Sequence, residues 1–406
     1  MRDSEIIPSF RRLQAFDGVA RTGSLSAAAQ ALRLSQPALT HSIGQLESQL
    51  GTRLFERGPE GTFLNGAGQI LQRRVQRFFA QIVDAVAHAA GRPADDPALE
   101  ALSARIGSAQ VRSLLAIWRA GSFRAAAASL GLAEPSLQRP ARELERVLGA
   151  SLYRRSAAGL GVNEAGGELA RRLALALGEI RSGAEEIGAA AQSRASLRIG
   201  VLALAPRILL ARATGPLLAH HRQHKIEVIE APYLRLARDL NDGALDLVLG
   251  ALRDPPPYAD LLEEKFFEDP YAIVCRHDHP LTRLALATPA DLARYEWIFP
   301  TRDLPRRQAL DALMLAWALP QNVQFETSCL TTITAMLSTS DCISILSRWH
   351  IELDGRSQLA RIQTPVAPDA PRHVGITIRK NWLPTPFQAD FLAHLRAAAQ
   401  GLGARA

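Results

Sequence analysis

The sequence predicts a multidomain chain: two winged helix-turn-helix modules, mainly α-helical and each followed by a long helix, and then an α/β domain. The first observation is a repeat, because segment 23–68 returns without a gap at 121–166, 98 residues later. The second is a change of period at Leu197, after which short apolar strands alternate with helical segments. The 406 residues have room for roughly two to four domains.

Composition and the N-terminal residues predict a soluble cytoplasmic protein. The chain is 47% hydrophobic and 21% charged, which is typical of a globular protein. No apolar run approaches the roughly 18 residues of a membrane span, and the first residues lack the apolar segment of a secretory signal. Cys275, Cys329 and Cys342 form no CxxC pair, so neither a disulfide framework nor a cysteine zinc site is indicated.

The net charge of +7 is spread unevenly along the chain. Residues 1–92 contain 11 Lys and Arg against 7 Asp and Glu, whereas residues 93–192 contain 12 against 11. A basic excess attracts polyanions, so the charge indicates a nucleic-acid partner for the first repeat.

The first winged helix-turn-helix module is predicted at 8–66. Gly23 ends a first amphipathic helix, Ser24 begins a second, and Ser35 is the N-cap of a third. Pro37 falls in the first turn of the third helix, where its missing N–H does no harm. Two short strands around a turn follow this helix and are predicted to form the wing.

The third helix has one apolar side and one side suited to a nucleic-acid groove. Leu39, Ile43 and Leu46 recur at helical spacing and are predicted to be buried. The opposite side carries small or polar residues without a carboxylate, namely Pro37, Thr40, His41, Gly44 and Gln45.

A long helix predicted at 67–91 has a broader apolar face than one small module can bury. This surplus predicts a linker helix that dimerises with a second chain. The second, divergent copy of the module is predicted at 106–164, and its own long linker helix at 165–192.

The third helix of the second copy departs from the first in three ways. Ala133 and Glu134 replace the Ser-Gln pair of the first copy, so a cap is lost and a carboxylate is gained. Pro140 lies in the helix interior at a cost of about 3 kcal/mol, so the helix should either kink or start near Pro140. The outward side carries a basic stripe, formed by Arg139, Arg142 and Arg146.

Four interpretations of this copy stay open: a degenerate structural copy, a second DNA contact, a dimerisation module, or another role. The basic stripe favours phosphate contact, whereas the proline and the lost cap favour degeneration.

The C-terminal α/β domain is predicted at 195–400. Strands near 359–362 and 374–378 indicate that the chain returns to its first half, which predicts two lobes. Lobe I covers about 197–264 and 362–400, and lobe II covers about 266–360.

The motifs of both regions resemble those of LysR-type transcriptional regulators. The N-terminal matches are GSLSAAA at 23–29, LSQPAL at 34–39, IGQLE at 43–47 and LGTRLFER at 50–57. The C-terminal matches are LDLVLG at 245–250 and YAIVC at 271–275 followed by HPL at 279–281. The resemblance covers almost the whole chain, except that an ordinary member of that family has no second helix-turn-helix.

The resemblance implies a bacterial transcriptional regulator that is not an enzyme and needs no cofactor. Its C-terminal region is implied to be a two-lobed periplasmic-binding-protein-like domain that senses a small molecule and alters DNA bending. The implied partners are double-stranded DNA, a small-molecule effector that is a candidate anion, a second copy in a homodimer or homotetramer, and RNA polymerase. No membrane partner is implied.

The DNA contacts are expected in the first module. Gln36 and His41 are the base-edge candidates, because an amide can bond to adenine and a histidine can donate to guanine, although both could instead touch only phosphate or water. The family pattern implies that Arg53 and Arg57 hold the DNA backbone, and Arg57 has a structural ion pair as its alternative. The full set of expected contacts is Ser24, Ser26, Ser35, Gln36, Pro37, Thr40, His41, Arg53, Arg57 and Thr62.

The effector is expected in the cleft between the lobes, where strand ends and helix N-termini meet. Arg207 follows a loop of apolar side chains after the first strand, which argues against a hydroxyl contact at that loop. Hydroxyls before a helix add candidates in the other lobe, although such residues are most often plain caps. The expected effector contacts are Arg207, Thr301, Arg302, Thr327 and Ser328.

Two further sets of residues are weighed as sites. His220, His221 and His224 have spacing that could hold a metal ion, but no carboxylate or cysteine completes the set, so no metal site is predicted. Cys329 could be a redox sensor of low pKa, but without a nearby cysteine it is expected to be a buried apolar residue.

Two rival functions remain at the level of sequence. A catalytic or solute-carrying protein on the same fold would need a nucleophile with a base, or a signal peptide, and neither is evident. An effector-independent, bivalent architectural protein would use both helix-turn-helix modules and leave the cleft empty.

Overall fold

A computed structural model describes residues 9–58, 61–156, 159–189, 195–220, 223–353, 359–365 and 372–403. The chain divides between residues 195 and 196 into two compact units. The N-terminal unit is helical with two small hairpins, and the C-terminal unit is α/β.

The first module of the N-terminal unit has three helices, a two-stranded wing and a long helix. In chain order these are α1 (Phe10–Thr22), α2 (Leu25–Ala31), α3 (Gln36–Leu50), β1 (Phe55–Gly58), β2 (Gly61–Leu64) and α4 (Gly66–Ala90). Gly23 adopts a φ of 65° where α1 ends, a left-handed conformation that glycine tolerates. The predicted caps are confirmed, because Ser24 and Ser35 each accept a hydrogen bond from a backbone N–H, and Asn65 does the same at the start of α4.

The second module repeats this order after a short connecting helix. Its elements are α5 (Ala98–Ala104), α6 (Ser108–Ala120), α7 (Phe123–Leu130), α8 (Glu134–Leu148), β3 (Tyr153–Ser156), β4 (Gly159–Val162) and α9 (Glu164–Ala189). Internal hydrogen bonds recur at the same offset of 98 residues. Glu47 accepts from the N–H of Leu54 at 2.8 Å, and Glu145 accepts from the N–H of Leu152 at 2.8 Å.

Helix α8 is continuous despite Pro140. It begins at Glu134, the equivalent of Gln36, so the expectation that it could start near Pro140 is wrong. Ala133 makes no side-chain capping bond, as the sequence predicts. Burial of Leu137, Ala141 and Leu144 offsets the lost backbone bond, because each large apolar side chain contributes roughly 1–3 kcal/mol when it leaves water.

Helices α4 and α9 lie against each other in antiparallel orientation. Arg73 near the start of α4 pairs with Glu186 near the end of α9 at 3.2 Å. Asp84 near the end of α4 pairs with Arg172 near the start of α9 at 2.6 Å. The long helices of the two repeats therefore form one pair within a single chain.

This pair shares a single apolar core. Buried side chains of α4 and α9 belong to the same cluster, which includes Leu71, Val75, Phe78, Ile82, Leu169, Leu173, Ala176 and Ile180. No large apolar side chain described in either helix is exposed. The surplus apolar face of α4 is thus covered by the second repeat of the same chain, and the expectation that a second chain covers it is corrected.

The two repeats also meet at equivalent positions. The N–H of Phe10 donates to the hydroxyl of Ser108 at 3.1 Å, and these two residues are 98 positions apart. Contact between equivalent residues is the property of an approximate two-fold axis, as at the interface of a symmetric dimer. The N-terminal unit therefore has the arrangement of a dimer built from one chain.

A buried ion cluster lies in the α4–α9 interface. Arg74 is 1% exposed, and its Nε and Nη1 donate at 2.7 Å to Glu186 and Glu179. Gly183 leaves the space that Arg74 fills, because a Cβ at that glycine would lie 3.1 Å from Cγ of Arg74. The guanidinium and both carboxylates are desolvated together, so each depends on the others.

Arg74→Ala should destabilise the N-terminal unit by up to about 3–5 kcal/mol, because two buried carboxylates lose their shared cation and keep only Arg73 and Arg77, which are more exposed. Equilibrium urea unfolding, with hydrogen exchange of α4 and α9 as a local readout, measures the loss. Arg73→Ala is the matched control: its side chain is 57% exposed and shares Glu186, so it should cost about 0–1 kcal/mol. Equal losses in the two variants would contradict the assignment.

The first lobe of the C-terminal unit is built on a five-stranded sheet. In chain order its elements begin with β5 (Ser196–Val201), α10 (Arg207–His220), β6 (Lys225–Glu230), α11 (Tyr233–Asn241), β7 (Leu247–Ala251) and β8 (Leu261–Glu268). The chain then enters the second lobe through β9 (Tyr271–Arg276), a 3-10 turn (Pro280–Arg283), α12 (Pro289–Leu292), β10 (Ile298–Phe299) and α13 (Pro305–Ala316).

The second lobe continues and the chain then returns. The remaining elements are β11 (Phe325–Glu326), α14 (Leu330–Thr339), β12 (Ser344–Ser347), α15 (Arg348–Leu353), β13 (Leu359–Arg361), β14 (His373–Arg379) and α16 (Pro386–Gly403). The first sheet has the order β6-β5-β7-β14-β8, with β14 antiparallel to both of its neighbours. The predicted return of the chain, and with it the two-lobed α/β fold, is confirmed.

Candidate nucleic-acid interface and effector site

Helix α3 presents the surface that its periodicity predicts. Leu39, Ile43 and Leu46 are buried. The exposed residues on the other side are Gln36, Pro37, Thr40, His41 and Gly44. Glu47 is half-buried and accepts the N–H of Leu54, so its carboxylate is committed to the module itself.

Two contacts orient the polar side chains on this surface. The hydroxyl of Ser26 donates to Oε1 of Gln36 at 3.4 Å, which leaves the amide nitrogen as a donor. The amide nitrogen of Gln45 lies 2.8 Å from Nε2 of His41. Because an amide nitrogen only donates, neutral His41 accepts at Nε2 and carries its proton on Nδ1.

The serines at 24 and 35 are caps as well as candidate contacts. Their hydroxyls accept the N–H of Ala27 at 3.3 Å and of Ala38 at 3.4 Å. Each cap satisfies one backbone N–H, and the positive dipole end of the helix suits a DNA phosphate.

The wing is tied to the helices by its backbone. The N–H of Thr62 donates to the carbonyl of Gly23 at 3.0 Å, so the wing and the turn before α2 form one surface. Arg53 is exposed beside them. The backbone of Arg57 lies in β1, and its side chain is outside the described part of the structure.

The basic stripe of the second module is also on the surface. Arg139, Arg142 and Arg146 are placed on α8 away from Leu137 and Leu144, which face the core. Arg142 is fully on the exposed side, and the predicted division of this helix into an apolar side and a basic side is confirmed.

The expected effector contacts are placed on different surfaces. Arg207 is exposed and pairs with Glu230 on β6 at 3.2 Å. Thr301 and Thr327 follow the parallel strands β10 and β11, so they share one edge of that pair. Arg302 and Ser328 are exposed, and the hydroxyl of Thr327 accepts the N–H of Cys329 at 3.1 Å, which forms a threonine turn ahead of α14.

The structure adds Arg306 to the residues predicted from the sequence. This residue is 4% exposed at the start of α13. Its Nε and Nη1 have no hydrogen-bond partner among the described residues. Burial lowers the pKa of Arg306 to about 10, with an opposing effect of Tyr271 and a reinforcing one of Arg372. The group is still a cation at neutral pH, so it is a buried charge that no described carboxylate neutralises.

Arg306 belongs to a cationic cluster where the chain crosses between the lobes. Arg372 is held by Asp269 and donates to the carbonyl of Leu204 at 2.9 Å. Arg253 follows β7 and stacks on Tyr233, with 4.9 Å between the guanidinium carbon and the ring centroid. A buried, unpaired guanidinium is costly, and an anion that bonds to it removes that cost.

A sequence signal for Arg306 existed in the helical period. Leu310 and Leu313 lie four and seven residues further along α13 and are buried. Arg306 therefore falls on the buried side of its helix, whereas Arg307 pairs with Asp311 and Glu326 at 2.8 Å. An arginine in line with an apolar stripe is the pattern that marks a buried cation.

The expectation for Cys329 is wrong. The residue is exposed because it is the N-cap of α14, in front of the helix rather than inside it. Hydrogen bonds from Thr331 and Thr332 lower the pKa of Cys329 to about 7, whereas burial raises the pKa of Cys275 to about 12. The two thiols therefore differ in both access and charge.

His220 and His224 have other contacts in the structure. Nδ1 of His220 lies 2.8 Å from the carbonyl of Pro216, and the ring of His224 packs edge-on against Phe387 at 4.5 Å. His221 lies outside the described residues. Among described residues no group of three His, Cys, Asp or Glu side chains could hold a metal ion, and no helix there is long and apolar enough to cross a bilayer.

Comparison with known protein families agrees with this geometry. The sequence matches the bacterial regulatory helix-turn-helix family of LysR type twice, over residues 10–69 and 108–167. It matches the LysR substrate binding domain over residues 190–400. The chain belongs to the LysR family of transcriptional regulators. As a LysR-type regulator it binds DNA through a helix-turn-helix and carries a domain for a small-molecule effector.

Two curated relatives show how this LysR-type regulator differs in length from others. It is 29% identical over 395 residues to the HTH-type transcriptional regulator GalR of Pseudomonas putida, an alignment that covers 96% of this chain and 97% of GalR. It is 26% identical over 297 residues to the HTH-type transcriptional regulator PcaQ of Agrobacterium fabrum, which covers 73% of this chain and 96% of PcaQ. The alignment with GalR therefore spans nearly the whole chain, whereas the alignment with PcaQ leaves about a quarter of the chain unmatched.

A solved structure shares the fold of this LysR-type regulator. A full-length variant of OxyR from Pseudomonas aeruginosa superimposes with a TM-score of 0.50 at 19% identity, over 72% of this chain and 94% of OxyR.

Cys329 should react with iodoacetamide at a rate that rises through a midpoint near pH 7, because the thiolate is the nucleophile and its pKa is about 7. Peptide mass spectrometry after timed labelling measures the rate, and Cys275 is the unreactive internal control. Thr331→Val removes a hydroxyl 3.0 Å from the sulfur and should move the midpoint upward. A parent midpoint at the ordinary thiol value of about 8.5 would refute the assignment.

Proposed function

We propose that this LysR-type regulator reads its operator through α3 and responds to an anionic effector bound at the crossing between its lobes. The observation that carries the DNA part is the exposed, carboxylate-free side of α3, backed by capped helix starts and by the wing. The relatives are transcriptional regulators, and on this proposal the chain is likewise not an enzyme.

The first module divides its contacts between bases and backbone. Gln36 and His41 are the base-reading residues, because both project donors from the N-terminal half of α3, the part of a recognition helix that enters the major groove. The proposed backbone and positioning contacts are Ser24, Ser26, Ser35, Pro37, Thr40, Arg53, Arg57 and Thr62.

The effector part rests on Arg306. Its unpaired guanidinium is buried at the N-terminus of α13, so an incoming carboxylate gains a charge-assisted hydrogen bond and the helix dipole together. Arg253 and Arg372 add positive charge nearby, and Thr301 and Thr327 are candidate hydroxyl contacts, with Ser328 beside them. Arg207 and Arg302 are exposed and are proposed only as residues at the mouth of the cleft.

Assembly and location complete the proposal. A homodimer or homotetramer is supported by exposed apolar side chains of the first lobe, among them Leu218 and Val228. RNA polymerase is the further protein partner, and the cytoplasm is the compartment in which the operator would be met. The effector-independent architectural function is not favoured, because the family match includes the substrate binding domain and Arg306 is a buried cation without an ion-pair partner among the described residues.

Gln36→Ala should weaken specific binding by roughly 1–3 kcal/mol and relax one base position, while Arg53→Ala should weaken all sequences and lower the salt slope by about one. Binding titrations against single-base operator variants at several salt concentrations measure both effects. Gln49→Ala, on the same helix but at its C-terminal end, is the matched control and should change neither. Unchanged base preference in Gln36→Ala would exclude that residue as a reader.

Arg306→Met should raise the stability of the ligand-free protein by about 1–3 kcal/mol, because it removes a buried polar group without a partner. It should also abolish stabilisation by carboxylates, tested by thermal unfolding with acetate, succinate and benzoate. In the parent, a carboxylate at about 100 times its Kd should add about 2.7 kcal/mol. Arg302→Met is the control and should respond like the parent. An Arg306→Met protein that still responds fully would locate the anion elsewhere.

A further inference from the structure

An approximate two-fold axis relates the two helix-turn-helix modules. Phe10 meets its own equivalent, Ser108, and α4 runs antiparallel to α9. The contacts between the repeats also occur in equivalent pairs, because α3 contacts α9 of the second repeat and α8 contacts α4 of the first. The same axis that relates the two repeats therefore also relates the recognition helices α3 and α8.

Such a relation is how dimeric helix-turn-helix proteins place two recognition helices in successive major grooves on one side of the DNA. In those dimers the two helices are identical, so the two half-sites are related by symmetry. Here the pairing is provided by one chain, and the two helices have different sequences.

The outward sides of α3 and α8 have different chemistry. At equivalent positions α3 carries Thr40, His41 and Gly44, whereas α8 carries Gln138, Arg139 and Arg142. Arginine can bond bidentately to guanine, and glutamine can bond bidentately to adenine. The two sides therefore suit different base sequences.

The arginines of α8 are uncommitted. Within the described residues, Arg139, Arg142 and Arg146 make no ion pair, although Glu143 lies on the same helix. The arginines of the neighbouring helix α9 behave differently, since Arg171 and Arg172 are both bonded to carboxylates at 2.6–2.7 Å. The α8 side chains are thus cations without a structural task.

We propose that one chain binds both halves of an asymmetric operator, with α3 on one half-site and α8 on a dissimilar, guanine-containing half-site. This rests on the proposed DNA reading by α3 and extends it to the second module. Glu134 at the start of α8 repels phosphate, so the contact is carried by the middle of the helix, from Gln138 to Arg146.

The test uses the full-length protein and its preferred DNA, selected from a random duplex library. The parent should select two unlike half-sites and protect both. The triple variant Arg139→Ala/Arg142→Ala/Arg146→Ala should keep the α3 half-site and lose protection over about 10 base pairs. It should also lower the salt slope, by about 0.9 for each of the three arginines that contacts a phosphate rather than a base. Gln36→Ala should alter only the other half-site.

A charge-matched control comes from α6 and the turn before it. Arg105→Ala/Arg112→Ala/Arg119→Ala removes three exposed arginines of the same module and should keep both half-sites. The inference would be overturned if the α8 triple variant kept the footprint and the salt slope of the parent. It would also be overturned if the selected DNA were a palindrome whose two halves both respond to Gln36→Ala. In either case DNA reading by α3 would still hold. A parent that selects no sequence at all would instead overturn the proposed function.

Discussion

The packing of α4 against α9 holds the N-terminal unit together. Arg74 is surrounded by two carboxylates from the other helix, and Gly183 provides the space that lets the helices approach it. A desolvated triad of this kind tolerates little displacement, because its charges lie in a medium that solvates them poorly and they compensate one another only in this geometry. The register of the two long helices, and through it the positions of both helix-turn-helix modules, follows from this contact.

The triad is also asymmetric, although the fold around it is nearly symmetric. The repeat equivalents of Glu179 and Glu186 are Gln81 and His88, so the acids come only from α9 and the buried cation only from α4. An apolar face by itself would allow two copies of α4 to pair with each other. Both helices carry an arginine at this position, since the equivalent of Arg74 is Arg172, but only α9 carries the two acids that Arg74 needs. This favours pairing between unlike helices, which is pairing within the chain.

Much of the fold followed from local signals in the sequence. Ser24, Ser35 and the glycine at 23 mark helix ends by chemistry that acts over a few residues, and such signals are visible without the fold. The length of α8 is harder to predict from local signals, because the free-energy cost of Pro140 within the helix is outweighed by tertiary burial of its apolar side. The helix that packs against α4 could not be predicted from the sequence, because an apolar stripe does not indicate which surface covers it. Arg306 shows the same limit: its helical period places it on the buried side of α13, but whether a carboxylate reaches it there depends on segments far away in sequence. The exposure of Cys329 follows from its position in front of α14, so it depends on the residue at which that helix begins.

The single-chain arrangement also has a consequence for concentration and for change over time. Two separate monomers must meet before they can bind as a pair, so their occupancy depends on how much protein the cell makes. Two modules joined through α5 are always at the same high effective concentration. Moreover, in a homodimer each substitution in the recognition helix alters both half-sites together. In this chain α3 and α8 are encoded separately, so each can acquire a new base preference while the other keeps the protein on its DNA.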